Sequence, residues 1–394
     1  MRSVHASAAQ DRGQRGAVLP LTVLILLVLS AVLVGLSMVT GREPAIAGNH
    51  VMLAQAQALA EAGLSRGLWA LSNPESADGV PTASSAPAPY DGSRLIAVAA
   101  GSNPIGGFRL TIGGVGSHER EMVVAGLVPG DEGALGAARQ EISATAIRLR
   151  FPDPPAGLTV RGDLTIGSGV VVDASADGSC GDRAGTWSTG ATTVSAGSRV
   201  HGRDATPAIP NQDTDIQQGQ PVGGFDDRAF SARDLSALRA IARARGTYYR
   251  GPVNFDAAQP MPDGLIFVDT LSGNAITDAT PDADLAAVTI RDGAIRTGGS
   301  FRGWIVVNGS LLIEGSALLE GLAYAADRIS QTGASRLVGA LMAGHVRTAM
   351  PSLIDARPEA GAAVVWNCEA GRSGGGSIPQ QWILKPGSYR EAAG

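Results

Sequence analysis

Residues 17–40 form one uncharged, strongly apolar run, bounded by Arg15 on one side and by Arg42 and Glu43 on the other. As a helix rising about 1.5 Å per residue, this run would extend roughly 35 Å, enough for a bilayer core. Pro20 falls in the first turn, where its missing N–H costs nothing. Arg2, Arg12 and Arg15 precede the run, while Arg42 and Glu43 cancel each other. The bias predicts a cytoplasmic N-terminus and a body outside the cytoplasm. Beyond the run, Leu53, Ala56, Ala60, Gly63, Leu64 and Leu68 recur at helical spacing. A helix is therefore expected to resume near Asn49, a good N-cap, and to run to about Leu71, with Pro44 as a kink or break.

After Leu71 the period changes. Residues 72–92 are rich in Pro, Ala, Ser and Gly and read as a linker or surface excursion. Phe108–Ile112 and Glu141–Leu149 read as strands, the second alternating imperfectly through Ile142, Ala144, Ala146 and Leu149. Pro152, Pro154 and Pro155 mark a boundary. From Gly157 to Val172, and again from Trp304 to Gly344, apolar runs of three to five residues are split by Gly every six to nine residues. That texture predicts a right-handed β-helix-like solenoid, in which each rung buries its apolar face on the next; a β-sandwich is the alternative. Between these stretches, residues 225–246 carry a helical face (Leu235, Leu238, Ile241, Ala242), a candidate N-cap at Ser231 and a candidate C′ residue at Gly246. The expected fold is α+β and mostly β: a long N-terminal transmembrane helix, then a Gly-rich solenoid. The expected units are 1–16, 17–71, 72–150 and 151–394, the last with a helical insertion at 225–246.

Composition supports a β-rich body, because 53 glycines in 394 residues suit turns far better than helices. The net charge of −5 and the lack of a dense basic face argue against a nucleic-acid partner. Cys180 and Cys368, the only two cysteines, are a candidate disulfide in an exported chain; two unrelated buried thiols are the other reading. Catalytic sets are missing. His5, His50, His118, His201 and His345 stand alone, and the Gly371–Gly376 stretch lacks the Lys and Ser/Thr of a phosphate loop. Asp163, Asp173, Asp177 and Asp182, near Arg161 and Arg183, are the candidate acids of a β-helix enzyme, but such charges usually keep a solenoid face soluble. Asp213/Asp215 and Asp282/Asp284 have a spacing that can supply calcium ligands, though the pattern is common. The expectation is a non-enzyme with no cofactor and no metal.

Gly16, at the boundary between the basic segment and the apolar run, resembles the class III signal of type IV prepilins. That resemblance implies a prepilin peptidase as partner, cleavage between Gly16 and Ala17, and methylation of the new N-terminus. Ala47-Gly48-Asn49, followed by Gln55-Ala56-Gln57-Ala58-Leu59-Ala60-Glu61-Ala62-Gly63-Leu64, resembles the N-terminal domain of PilX-type minor pilins. The similarity covers roughly residues 13–71. Major pilins carry a Glu where this chain has Leu21, so the resemblance implies a minor, initiating or tip subunit. It implies type IV pilus assembly with other pilins as partners, and a single pass through the bacterial inner membrane with the body in the periplasm or carried on an extracellular pilus. The alternatives are an anchored adhesin whose solenoid binds surface glycans and, behind it, a polysaccharide-active β-helix enzyme.

Overall fold

The computed structural model describes residues 18–40, 43–100, 103–116, 118–129, 137–202, 209–295, 299–347, 352–355 and 361–392. The leader 1–16 and the expected cleavage pair Gly16 and Ala17 lie outside them. Two helices open the described chain, α1 (Val18–Thr40) and α2 (Glu43–Ser72). The expectation of a long N-terminal transmembrane helix is corrected here. Among the described residues no helix is long and apolar enough to cross a membrane. The single-pass inner-membrane placement inferred from that span falls with it. What stands is a mostly β chain with extensive parallel sheets.

Pro44 does not interrupt α2 but sits in its first turn, so the helix starts ahead of Asn49. Only the second half of α2 packs inward. Ala56, Leu59, Ala60, Leu64, Ala70 and Leu71 are buried, whereas Leu53 is exposed. Their partners are the antiparallel strands β1 (Ile96–Ala100), β2 (Asn103–Gly116), β3 (Glu119–Val128) and β4 (Ala138–Ile147), paired in chain order. Strand alternation points Phe108, Leu110, Ile112, Met122, Val124, Ile142, Ala144 and Ala146 into this core. The helix lies close to the sheet because Gly63 meets Val124 and Phe108, where a Cβ would clash. The Pro/Ala/Ser/Gly-rich segment that follows α2 lies along β2, bridging Ser85 to Gly113 and Asp91 to Thr111, and it buries Tyr90.

A parallel body follows. Its first segment runs through β5 (Ala156–Val160), β6 (Leu164–Ile166), β7 (Val171–Asp173), β8 (Ala184–Ser188), β9 (Thr192–Val194), β10 (Arg199–His201) and β11 (Ile216–Gln217). The chain then crosses the outside of the sheets in α3 (Val222–Asp226) and α4 (Ala232–Arg245). Ser231 and Asp234 form a capping box on α4, and Gly246 closes it in the left-handed region at φ 73°.

The second segment starts at the far end of the body with β12 (Tyr248–Arg250), β13 (Val253–Phe255), β14 (Gly264–Asp269) and β15 (Ala286–Ile290). It continues through β16 (Phe301–Val307), β17 (Gly309–Ile313), β18 (Leu318–Ala325), β19 (Ile329–Thr332), β20 (Arg336–Ala343), β21 (Ser352–Asp355) and β22 (Ala363–Trp366). It thus winds back to meet the first segment. The seam pairs β20 with β5, β21 with β6 and β22 with β7, all parallel. Two sheets result, one of 11 strands and one of 7. Val, Ile and Leu fill the space between them, as in Ile266, Ile305, Leu311, Ile313, Leu337 and Leu341. A second apolar layer, including Trp304, Trp366, Phe225, Phe230, Leu238 and Ile241, fills the space under the helices.

After β22, helix α5 (Cys368–Ser373) leads the chain back to the first sheet. There β23 (Ile383–Leu384) and β24 (Arg390–Ala392) both pair antiparallel with β4. The whole parallel body is therefore inserted between two neighbouring strands of the antiparallel sheet.

Candidate assembly surface

α1 is apolar on every side. Its described large side chains are all exposed, reaching 64% for Leu26 and 66% for Leu27. The apolar run that makes this helix carries no internal pattern that could choose one buried face. The exposure continues onto α2 through Ile46, Val51 and Leu53, then stops where Ala56 reaches the antiparallel sheet. A contiguous exposed apolar patch of this length is rare on a free monomer. Such a surface has no hydrogen-bonding chemistry to offer. Its affinity can come only from close packing and removal of apolar area from water.

The other residues singled out from the sequence do not converge. Asp163 accepts from Ala191 N at 2.8 Å and caps a turn. Asp173 accepts from Ser175 N and Oγ. Asp177 accepts from Ser179 N through one oxygen and from Cys368 N through the other. Arg161 pairs with Asp226, and Arg183 with Asp153. Asp215 is buried and accepts from Gly202 N and Gln212 N, while Asp284 accepts from Ser272 and Asp282 pairs with Arg347. His201 is half-buried on β10, and His345 has a φ of 48° beside the seam. Among the described residues no group of three or more His, Cys, Asp or Glu is placed to hold a metal ion. Cys180 and Cys368 are joined in a disulfide, Cα to Cα 5.9 Å, which bridges the seam across 188 residues of sequence.

A charged cleft of about 300 Å³ lies where the antiparallel sheet meets the parallel body. His118, Glu119, Arg148 and Arg150 line it from one side, and Asp227, Arg233 and Asp234 from the other. Arg150 donates to the carbonyls of Asp227 and Ala229 and faces Asp234 at 3.5 Å. Glu119 pairs with Arg233 at 3.5 Å and with Lys385, the only lysine, at 3.1 Å. Burial, then the Arg148 charge, holds the His118 imidazole below its ordinary pKa. Sequence reading missed this cluster because its members come from four distant segments.

No protein-family model matches the chain, and no curated protein does. Among solved structures, the crystal structure of the competence-associated pilin ComZ from Thermus thermophilus matches with 10% identity. The match covers 86% of this chain and 97% of that one, with a TM-score of 0.22, and a likeness at that score carries no argument.

Proposed function

We propose that this chain is a non-enzymatic subunit of the minor-pilin kind, related to the PilX type, that joins a type IV pilus or a related filament through α1. The observation that carries the reading is the bare, wholly apolar α1 continuing into a helix clasped by an antiparallel sheet. Helices of sister subunits are the partners such a surface suits, since small residues such as Ala31, Gly35 and Ser37 admit close approach of backbones. The prepilin-like boundary at Gly16 and Ala17 and the motif around Ala56–Leu64 support the same reading. Leu21, in place of the Glu of major subunits, favours a minor or tip role. The parallel body would then be cargo displayed by the assembly.

The test places a photo-crosslinking residue at Leu29 in cells that make the native filament, with Ser330 on the parallel body as control. Adducts with other pilin-like subunits from position 29 alone, together with a mature N-terminus at methylated Ala17, are the expected result. Unmodified Met1 in the assembled protein, or no protein adduct at position 29, would refute the proposal.

A further inference from the structure

The far end of the parallel body carries a cluster of arginines that its fold does not neutralise. α4 ends with Arg243 and Arg245, and the edge strand β12 ends with Arg250; all three are exposed. Arg239, one turn earlier, is consumed. It forms a two-point pair with Asp269, which is fully buried and also accepts from Asn308. None of the ion pairs among the described residues includes Arg243, Arg245 or Arg250. The chain as a whole is acidic, so the cluster is not a general excess of base.

Two of these guanidiniums are held together. Arg243 donates to the Tyr248 hydroxyl at 3.1 Å and Arg250 donates to the same oxygen at 2.9 Å. The donating nitrogens are therefore at most about 6 Å apart. The hydroxyl is itself fixed, because it donates to Asp269 at 3.1 Å. Arg243 lies over the Tyr248 ring at 4.4 Å, and Gly273 leaves the room that the Arg250 guanidinium occupies. Of the three carboxylates of the neighbouring loop, Asp284 is engaged by Ser272 N and Oγ and Asp282 pairs with Arg347, while Asp278 stands further along. Like charges set this close repel each other. Each guanidinium uses one of its five N–H donors on the tyrosine, and the rest form a fork suited to a planar or tetrahedral anion.

We propose that Arg243 and Arg250, held together by the Tyr248 hydroxyl, with the exposed Arg245 at the same end of α4, form a binding site for the anionic groups of an acidic polysaccharide. Several spaced charges on an open end suit a polymer better than a single ion. Single-stranded nucleic acid is disfavoured because the ring at the centre of the cluster, Tyr248, is already covered by Phe267, stacked at 6.2 Å, and by Arg243, so it is not free to stack on a base. The site is independent of α1 and of how the chain assembles.

The experiment measures binding of the purified full chain to polygalacturonate, with neutral dextran, single-stranded DNA and duplex DNA as comparisons, at low and moderate salt. The proposal expects salt-sensitive binding to polygalacturonate and none to dextran. The double substitution R243Q/R250Q should weaken it at least tenfold, while R139Q on the antiparallel sheet leaves it unchanged. Tyr248→Phe keeps every charge but releases the two guanidiniums, so it should weaken binding several-fold; because the buried Asp269 also loses one of its donors, the thermal midpoint falls, and binding is compared at a temperature where both proteins are folded. Basic residues in a last helical turn also suit the helix dipole; if that is their whole role, the wild type will not bind the polymer. Absent binding, equal loss with R139Q, or tighter binding to either DNA would each overturn the assignment.

Discussion

Replacing Gly321 by Ala should strongly destabilise the parallel body, because the added methyl meets backbone in the next strand. Gly264, Gly303, Gly321 and Gly339 occupy one register position in four adjacent strands. Their φ angles are 102°, 155°, 143° and 137°, where L-residues are strained. A Cβ on residue 321 would run into the carbonyl of Gly303 below, with the carbonyl carbon at 2.8 Å. The obstacle is backbone in a paired strand, so it cannot rotate aside. The dihedral strain is about 1–3 kcal/mol, and forced overpacking adds about 1–3 kcal/mol, giving a loss of about 2–6 kcal/mol. Gly197→Ala is the control, because φ is 84° there but no atom lies within 4 Å of the added methyl; it should lose only the strain term. Urea unfolding followed by near-UV circular dichroism, which reports on Trp304 and Trp366, gives both values. Equal losses for the two variants would refute the stacked-corner reasoning.

Two further outcomes follow from the junction and the seam. His118 is held below its ordinary pKa, so the folded state resists a proton that the unfolded chain accepts. Stability should therefore decline as pH falls below about 6.5, and the decline should flatten in His118→Gln, as read from thermal midpoints between pH 5 and 8. Reduction of Cys180–Cys368, which closes 188 residues of chain, should remove about 5 kcal/mol on chain-entropy grounds. It should also slow migration of the unfolded chain on a denaturing gel, and hydrogen exchange should rise first in β5–β7 and β20–β22. An unchanged gel mobility would show that the thiols are free.

Local chemistry was readable in the sequence, and long-range closure was not. Ser231, Gly246 and the face Leu235, Leu238, Ile241, Ala242 announce α4, because caps and period are set within a few residues. The Ile142, Ala144, Ala146 alternation likewise announces the buried side of β4. The apolar run after Gly16 reads as a bilayer span, whereas among the described residues no helix is long and apolar enough to cross a membrane. The pairing of β21 with β6 and the Arg243–Tyr248–Arg250 cluster had no local signal. Leu164 meets Ser352 only because the second segment winds back on the first.

That winding explains how so large a body can sit inside a small sheet. A parallel stack wound in one direction would deliver its exit far from its entrance, and β4 could not then be followed by β23. Here α3 and α4 carry the chain along the outside to the far end, so the second segment returns to the rung where the first began. Entry and exit are consequently neighbours: Phe151 packs near Gly371 and lies 6.3 Å from Trp304, whose indole N–H donates to the Gly371 carbonyl. Adjacent ends are the geometric condition for inserting one folding unit into another. The disulfide lies in this same rung and holds its two sequence-distant halves together. The chain that leaves the seam thus supplies β23 and β24, which complete the antiparallel sheet. The sheet that clasps α2 and the parallel body are therefore held together by both ends of the inserted chain.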